Sequence, residues 1–278
     1  MKRIIAAFDG LKYAESTEQY AVYLAQETGA SLTGVFLEDF THRSYHLWDM
    51  VENDAISPNK VKELLEQDKI TRLNAVKRFE EACNQARIET CVHRDRSIAL
   101  QELLKESIYA DLLVISAQET LTHFQEDKPS QFISFLLADV QCPVLIVPEV
   151  FERPEEIVLL YDGNPSSVYA ARMFSYLLPE LKKVAIEVLS VESDKEVSKM
   201  QEPELMKEFI DTHFPGARIQ VLRGDPETEI VSYLEDRVHT LAILGAYKRN
   251  MVSRWFRASM ANILMEETNL PLFIAHYK

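Results

Sequence analysis

Arg3 to Gly10 reads RIIAAFDG, and Glu156 to Gly163 reads EIVLLYDG. An apolar run ends in Asp-Gly in both places. Working outward, each phrase opens a half that closes on a second matched phrase: CPVLIVP at Cys142–Pro148 and LPLFIAH at Leu270–His276. A repeat this long is a domain rather than a solenoid unit. The chain therefore reads as two similar α/β domains in tandem, residues 1–150 and 155–278, with a linker at Val150–Pro154 where charge and proline break the pattern. Its 278 residues suit two such units.

Continuous apolar runs mark buried strands, and 3.6-residue periodicity marks helices. In the first half strands are expected at Arg3–Phe8, Ser31–Leu37, Glu89–Val92, Leu112–Ile115 and Val144–Val147. Helices are expected at Ala14–Thr28, Val61–Ala86, Ile98–Ser107 and Phe132–Val140, with Asp95 as a cap. The second half repeats the order. Its strands are Ile157–Tyr161, Ala185–Ser190, Ile219–Leu222, Leu241–Leu244 and Leu272–Ala275; its helices are Ser166–Leu177, Glu204–His213, Glu227–Glu235 and Ala258–Glu267. Alternation of this kind implies right-handed crossovers and a five-stranded parallel sheet in each half, flanked by helices on both faces. Asp9 to Pro143 spans 134 residues against 109 from Asp162 to Pro271, and the excess falls mainly at Phe40–Asn59. That stretch is expected as a loop or short helical insertion over the first domain.

Charge and composition exclude several functions. A net charge of −14 disfavours nucleic acid, whose phosphates need a basic face. No apolar run approaches the ~20 residues that span a bilayer. The apolar stretch after Met1-Lys2-Arg3 is too short for a signal core. Cys83, Cys91 and Cys142 are odd in number and form no CxxC pair, so reduced thiols and a cytoplasmic location are expected. His42, His46 and Asp49 could face one metal on a helix, but packed or exposed histidines explain them better, and no metal cluster is expected. No nucleophile–base–orienter set is visible, which disfavours a serine or cysteine hydrolase. The loop DGLKYAES lacks the clustered glycines of a phosphate-grasping loop, which disfavours an ATP-pyrophosphatase.

Ligands of open α/β sheets bind beyond the carboxyl ends of the strands. Asp9 and Asp162 stand there, either to contact a ligand or to make a turn and cap the next helix. The distinctive segment is Gly245–Ser259, GAYKRNMVSRWFRAS. It joins a buried strand to a helix, where backbone N–H groups attract anions. Lys248, Arg249, Arg254 and Arg257 make it cationic within an acidic protein; the alternative is a solvated loop paired with nearby carboxylates.

On these residues the chain resembles the universal stress protein family, in tandem form, along nearly its full length. The carriers are Asp-Gly after each first strand, Gly224-Asp225-Pro226, Gly245, Ser259 and the proline-led last strands. The resemblance implies Rossmann-like domains of the adenine-nucleotide α-hydrolase type, in which glycines after the fourth strand let the backbone wrap a triphosphate. Carried over, Asp162 and Gly163 lie at the nucleoside, Val191 at the adenine, and Gly245, Lys248, Arg249, Ala258 and Ser259 along the phosphates. Lys248 and Ala258 replace glycines, and whether Lys248 blocks the phosphates or binds them stays open. In the first half Ser116, Glu119 and Ser130-Gln131 replace the motif, and Glu119, Glu126 and Asp127 place negative charge where phosphates would lie, so no triphosphate is expected there. Arg94 is matched to Gly224.

The resemblance thus implies a stress-response binding or regulatory protein, with ATP or AMP as the ligand of the second half. An ATP-hydrolysing enzyme using that half, and an interaction module without nucleotide, are the alternatives. Val144–Val147 and Leu272–Ala275 are expected to meet, making an intramolecular pseudo-dimer. A homo-oligomer and an unspecified protein partner remain open beyond it.

Overall fold

The structure, a computed structural model, describes residues 1–37, 57–95, 98–120, 128–192, 203–245 and 259–276. Five strands come from the first half: β1 (Arg3–Asp9), β2 (Ser31–Leu37), β3 (Thr90–Asp95), β4 (Leu112–Ser116) and β5 (Val144–Val147). Five more follow: β6 (Glu156–Leu160), β7 (Ala185–Glu192), β8 (Arg218–Arg223), β9 (Thr240–Gly245) and β10 (Leu272–Ala275). They form one sheet in the order β3-β2-β1-β4-β5-β10-β9-β6-β7-β8. Each half is parallel throughout, and the reversal of order about β1 and β6 makes each a doubly wound unit.

The halves join where β5 and β10 run antiparallel, with Phe273 opposite Leu145 and Ile274 opposite Val144. This is the expected meeting of the two proline-led strands. Both are fully buried, so each half covers an apolar edge that would otherwise template aggregation. The sequence of strands reads the same outward from this pair in either direction, which gives the sheet a pseudo-two-fold centre.

The helices are α1 (Glu15–Thr28), α2 (Pro58–Ala86), α3 (Ala99–Ser107), α4 (Gln131–Asp139), α5 (Pro165–Leu177), α6 (Pro203–His213), α7 (Pro226–Leu234) and α8 (Met260–Glu267). On one face of the sheet a buried cluster gathers Phe8, Tyr20, Phe79, Phe174 and Phe273; on the other it gathers Leu103, Ile133, Leu136, Leu160 and Leu264. Both clusters run across the β5–β10 junction. Burying one such large side chain stabilises by about 1.5–3 kcal/mol.

Four details depart from expectation. A 3-10 turn at Pro179–Lys183 follows α5, because Pro179 cannot continue the helix. The final helix starts at Met260, since Ser259 has extended backbone and caps it. Strand β3 runs on to Asp95, and the cap position of α3 is Ile98, without a side-chain hydrogen bond. Counting back from Ile98 and from its counterpart Asp225, the cap of α7, aligns Ser97 with Gly224 in place of Arg94. The Phe40–Asn59 insertion, with His42, His46 and Asp49, lies outside the described residues up to Ile56.

The linker is tied to both halves. Tyr20 Oη in α1 donates to the Glu152 carbonyl and accepts from its N–H, while the Glu152 carboxylate accepts from the His239 N–H at 3.1 Å. Phe151 packs edge-on against Tyr20 and Tyr23.

Candidate functional site

The pleat alternates side chains between the two faces of the sheet. It sends Asp9 and Leu37 in the first half, and Asp162 and Val191 in the second, toward the same face at the strands' carboxyl ends. Register confirms the pairing: Asp9 lies opposite Leu37, and Leu160 opposite Leu189 two residues before Asp162 and Val191. Ser116 and Gly245 end the neighbouring strands β4 and β9.

In the first half this corner is closed by the chain itself. Asp9 is 6% exposed, Leu37 1%, Ser116 6% and Glu119 4%. Glu119 turns its carboxylate inward, where Oε2 accepts the Asp9 N–H at 3.2 Å. The Asp9 carboxylate accepts the Leu11 N–H at 2.9 Å, a local turn that leaves the cap of α1 to Ala14. Ser130 Oγ donates to the Glu119 carbonyl at 2.5 Å and accepts from Ile133 N–H, which pins the far end of the 116–130 connection. Arg72 of α2 reaches across, donating to the Leu37 carbonyl at 3.2 Å; its Cγ would lie 3.1 Å from a Cβ at Gly10. Tyr13, from the longer β1–α1 loop, stacks on Phe8 under the Arg78 guanidinium. Burial first, and then the Glu18 carboxylate, push its phenol well above the ordinary tyrosine range.

In the second half the described residues of the same corner are more exposed. Asp162 is exposed, and Gly163, Val191 and Gly245 are half-buried. The Asp162 carboxylate organises the first turn of α5: Oδ1 accepts the Asn164 N–H at 2.9 Å and the Ser167 hydroxyl at 2.7 Å, and Oδ2 accepts Asn164 Nδ2 at 2.8 Å. Gly163 has φ of 77°, which makes this short turn possible. The turn draws α5 down onto β9, so that a Cβ at Gly245 would come 2.3 Å from the Ser166 carbonyl carbon. Gly245 is therefore required by backbone packing whether or not a phosphate lies beside it.

Ser259 Oγ accepts the Asn262 N–H at 3.3 Å and donates to Asn262 Oδ1 at 2.9 Å, a reciprocal cap of α8. Its counterpart by cap position is Ser130, not Gln131, so the hydroxyl persists in both halves. Lys248, Arg249 and Ala258, together with Arg254 and Arg257, lie outside the described residues, as do Glu126 and Asp127. Asp162, Gly163, Val191 and Gly245 are brought together on adjacent strand ends; Ser259 stands at the helix that follows β9. Sequence reasoning missed the covering role of Arg72 and read Glu119 as repulsive charge without its inward hydrogen bond. The signal for the latter was a glutamate three residues beyond a buried strand. Among the described residues no group of three or more His, Cys, Asp and Glu is placed to hold a metal ion.

Comparison with known proteins places this fold. No family model matches the chain. A curated universal stress protein of Synechocystis is 21% identical over 98% of this chain and 99% of its own length. The crystal structure of a universal stress protein from Archaeoglobus fulgidus superposes with a TM-score of 0.70 at 13% identity, over 99% of this chain and 98% of that one. A protein of unknown function from Pseudomonas aeruginosa gives 0.61 at 14% identity, over 99% and 92%. In sequence and in fold the chain thus resembles tandem universal stress proteins from end to end.

Proposed function

We propose that this chain, built on the universal stress protein fold, is a cytoplasmic stress-response regulator that binds an adenine nucleotide, ATP or AMP, in its second half alone. Residues 1–150 then form a domain that has lost its ligand, and residues 155–278 one that keeps it. The observation that supports this reading is the contrast at the two aspartates: Asp9 is 6% exposed and its backbone N–H is taken by Glu119, whereas Asp162 is exposed beside half-buried Val191 and Gly245. A nucleoside can approach the second corner, and the helix start at Ser259 together with the basic 246–258 segment suits its phosphates.

Regulation is favoured over turnover because the described residues at this corner offer no base aimed at a water. Asp162 is engaged by three donors of its own turn, and the Ser259 hydroxyl by Asn262. That same engagement favours, as the second reading, an interaction module without nucleotide. Two measurements separate them. Calorimetry with ATP and AMP should give saturable heat that falls in Asp162→Ala; phosphate release should not exceed that of a boiled control. No heat with either nucleotide, and none released on acid denaturation of the purified protein, leaves the module reading. Turnover lost in Asp162→Ala establishes the enzyme instead.

A further inference from the structure

The two outer edges of the sheet are treated differently. At the first edge, Val92 of β3 packs against the core beneath α2, a helix of 29 residues. By register, its counterpart on the second edge is Ile219 of β8. There the edge is less covered: Ile219 is 44% and Val221 40% exposed. Five of the six residues of β8 are exposed. Among the described residues no strand pairs with its outer side.

Edges are usually defended by brevity, charge or cover. Here β8 is flanked by Arg218 and Arg223, within a chain of net charge −14. Arg218 makes no ion pair with any described residue. Its register neighbour Glu187 is committed elsewhere, to Tyr233 Oη at 2.6 Å and to Arg237 at 3.7 Å. Arg223 meets Glu192 only at 3.7 Å, with its side chain 79% exposed. A second copy is a poor occupant. In an antiparallel pairing over the full strand, Arg218 would face Arg223 of the other copy at both ends, and like charges directly opposite are destabilising.

We propose that β8 is a docking edge for an extended acidic segment of a protein partner, which adds to the sheet as an eleventh strand. Main-chain hydrogen bonds along β8 supply affinity. Apolar side chains of the segment cover Ile219 and Val221, and its carboxylates form charge-assisted pairs with Arg218 and Arg223. The proposal does not rest on nucleotide binding in the second half.

The test uses the full chain and a short capped, fluorescent peptide with glutamate at both ends of a six-residue stretch and valines between, because Arg218 and Arg223 lie on opposite faces of the strand, with a lysine-for-glutamate peptide as control. Saturable binding of the acidic peptide is expected, with hydrogen-exchange protection of β8 amides. The doubly substituted Arg218→Glu, Arg223→Glu chain should bind about tenfold more weakly or worse, as expected for two charge-assisted contacts. Both substitutions sit on exposed side chains, and circular dichroism checks that the fold is kept. In a separate variant, Ile219→Lys with Val221→Lys should weaken binding without reversing charge at the strand ends. No saturable binding, equal binding of the lysine peptide, or binding unchanged in both variants overturns the proposal. So does self-association of the unmodified chain that is abolished by the Ile219→Lys, Val221→Lys variant.

Discussion

The two halves share a strand order and an opening Asp-Gly, yet their carboxyl-end corners differ in almost every physical respect. In the first, a connection from Asp9 to α1 three residues longer than that from Asp162 to α5 brings Tyr13 onto Phe8, α2 sends Arg72 over Gly10, and Glu119 hydrogen-bonds the backbone of Asp9. In the second, a tight turn at Asp162–Asn164 pulls α5 against Gly245 and leaves Asp162 in solvent. The lesson is that a repeated fold can bury one carboxyl-end corner with its own side chains while the sheet and its junction stay symmetric. Closing a corner needs a longer loop, one reaching arginine and one inward carboxylate; it does not need a different topology.

The comparison breaks most sharply at Gly245. Adding one methyl there drives a Cβ into the Ser166 backbone at 2.3 Å, and backbone cannot swing aside as a side chain can. Gly245→Ala should cost about 3 kcal/mol, at the upper end for overpacking. The counterpart Ser116→Gly should cost about 1 kcal/mol or less, mostly through chain entropy. Urea denaturation of both variants measures the difference; equal costs would remove the packing account of this glycine.

A pH experiment probes how the halves are strapped together. Burial raises the Tyr20 phenol from 10.0 to about 12, against a smaller opposing effect of its bond to the Glu152 backbone. Below pH 10 both folded and unfolded states hold the proton. Between pH 10 and about 12 the unfolded chain loses it first, so the unfolded state binds fewer protons and stability falls as pH rises. Two pKa units correspond to at most about 2.7 kcal/mol. Tyr20→Phe should be flatter than the unmodified chain in this window when unfolding is followed against pH; identical slopes would show that Tyr20 does not carry the effect.

The smallest effect separates the two caps. Ser259→Ala should cost about 1 kcal/mol, the usual value for an N-cap. Ser130→Ala should cost about 1 kcal/mol more, because the buried Glu119 carbonyl also loses its donor. Thermal unfolding of the two variants ranks them, and a larger loss at Ser259 would contradict the role of Ser130 in holding the Glu119 carbonyl.

Most of the fold was legible in the chain. Continuous apolar runs such as LLVI at Leu112–Ile115 and VLIV at Val144–Val147 occur where strands are buried on both faces, and period alone finds them. The β5–β10 pairing was expected from the family resemblance together with the apolar character of both strands. Element ends were less so: Asp95 as cap and Gln131 as the partner of Ser259 were each displaced, since caps depend on where the backbone turns extended. The candidate positions Asp162, Gly163, Val191 and Gly245 came from the resemblance; their exposure was not legible in the sequence. Nothing in a charge count says whether Glu119 repels a ligand in solvent or folds inward onto Asp9, because that choice is made by tertiary hydrogen bonds to the Asp9 N–H and from Ser130 Oγ. Likewise Arg72 lies on a helix whose register over β1 and β2 is set by Phe79 packing on Gly34, a long-range contact.

Hydrogen–deuterium exchange with and without saturating ATP tests the central claim most directly. Open and closed corners predict new protection at 162–167 and 189–192, and no change at 9–17 or 116–120. Protection that appears in the first half, or in neither half, would contradict the account.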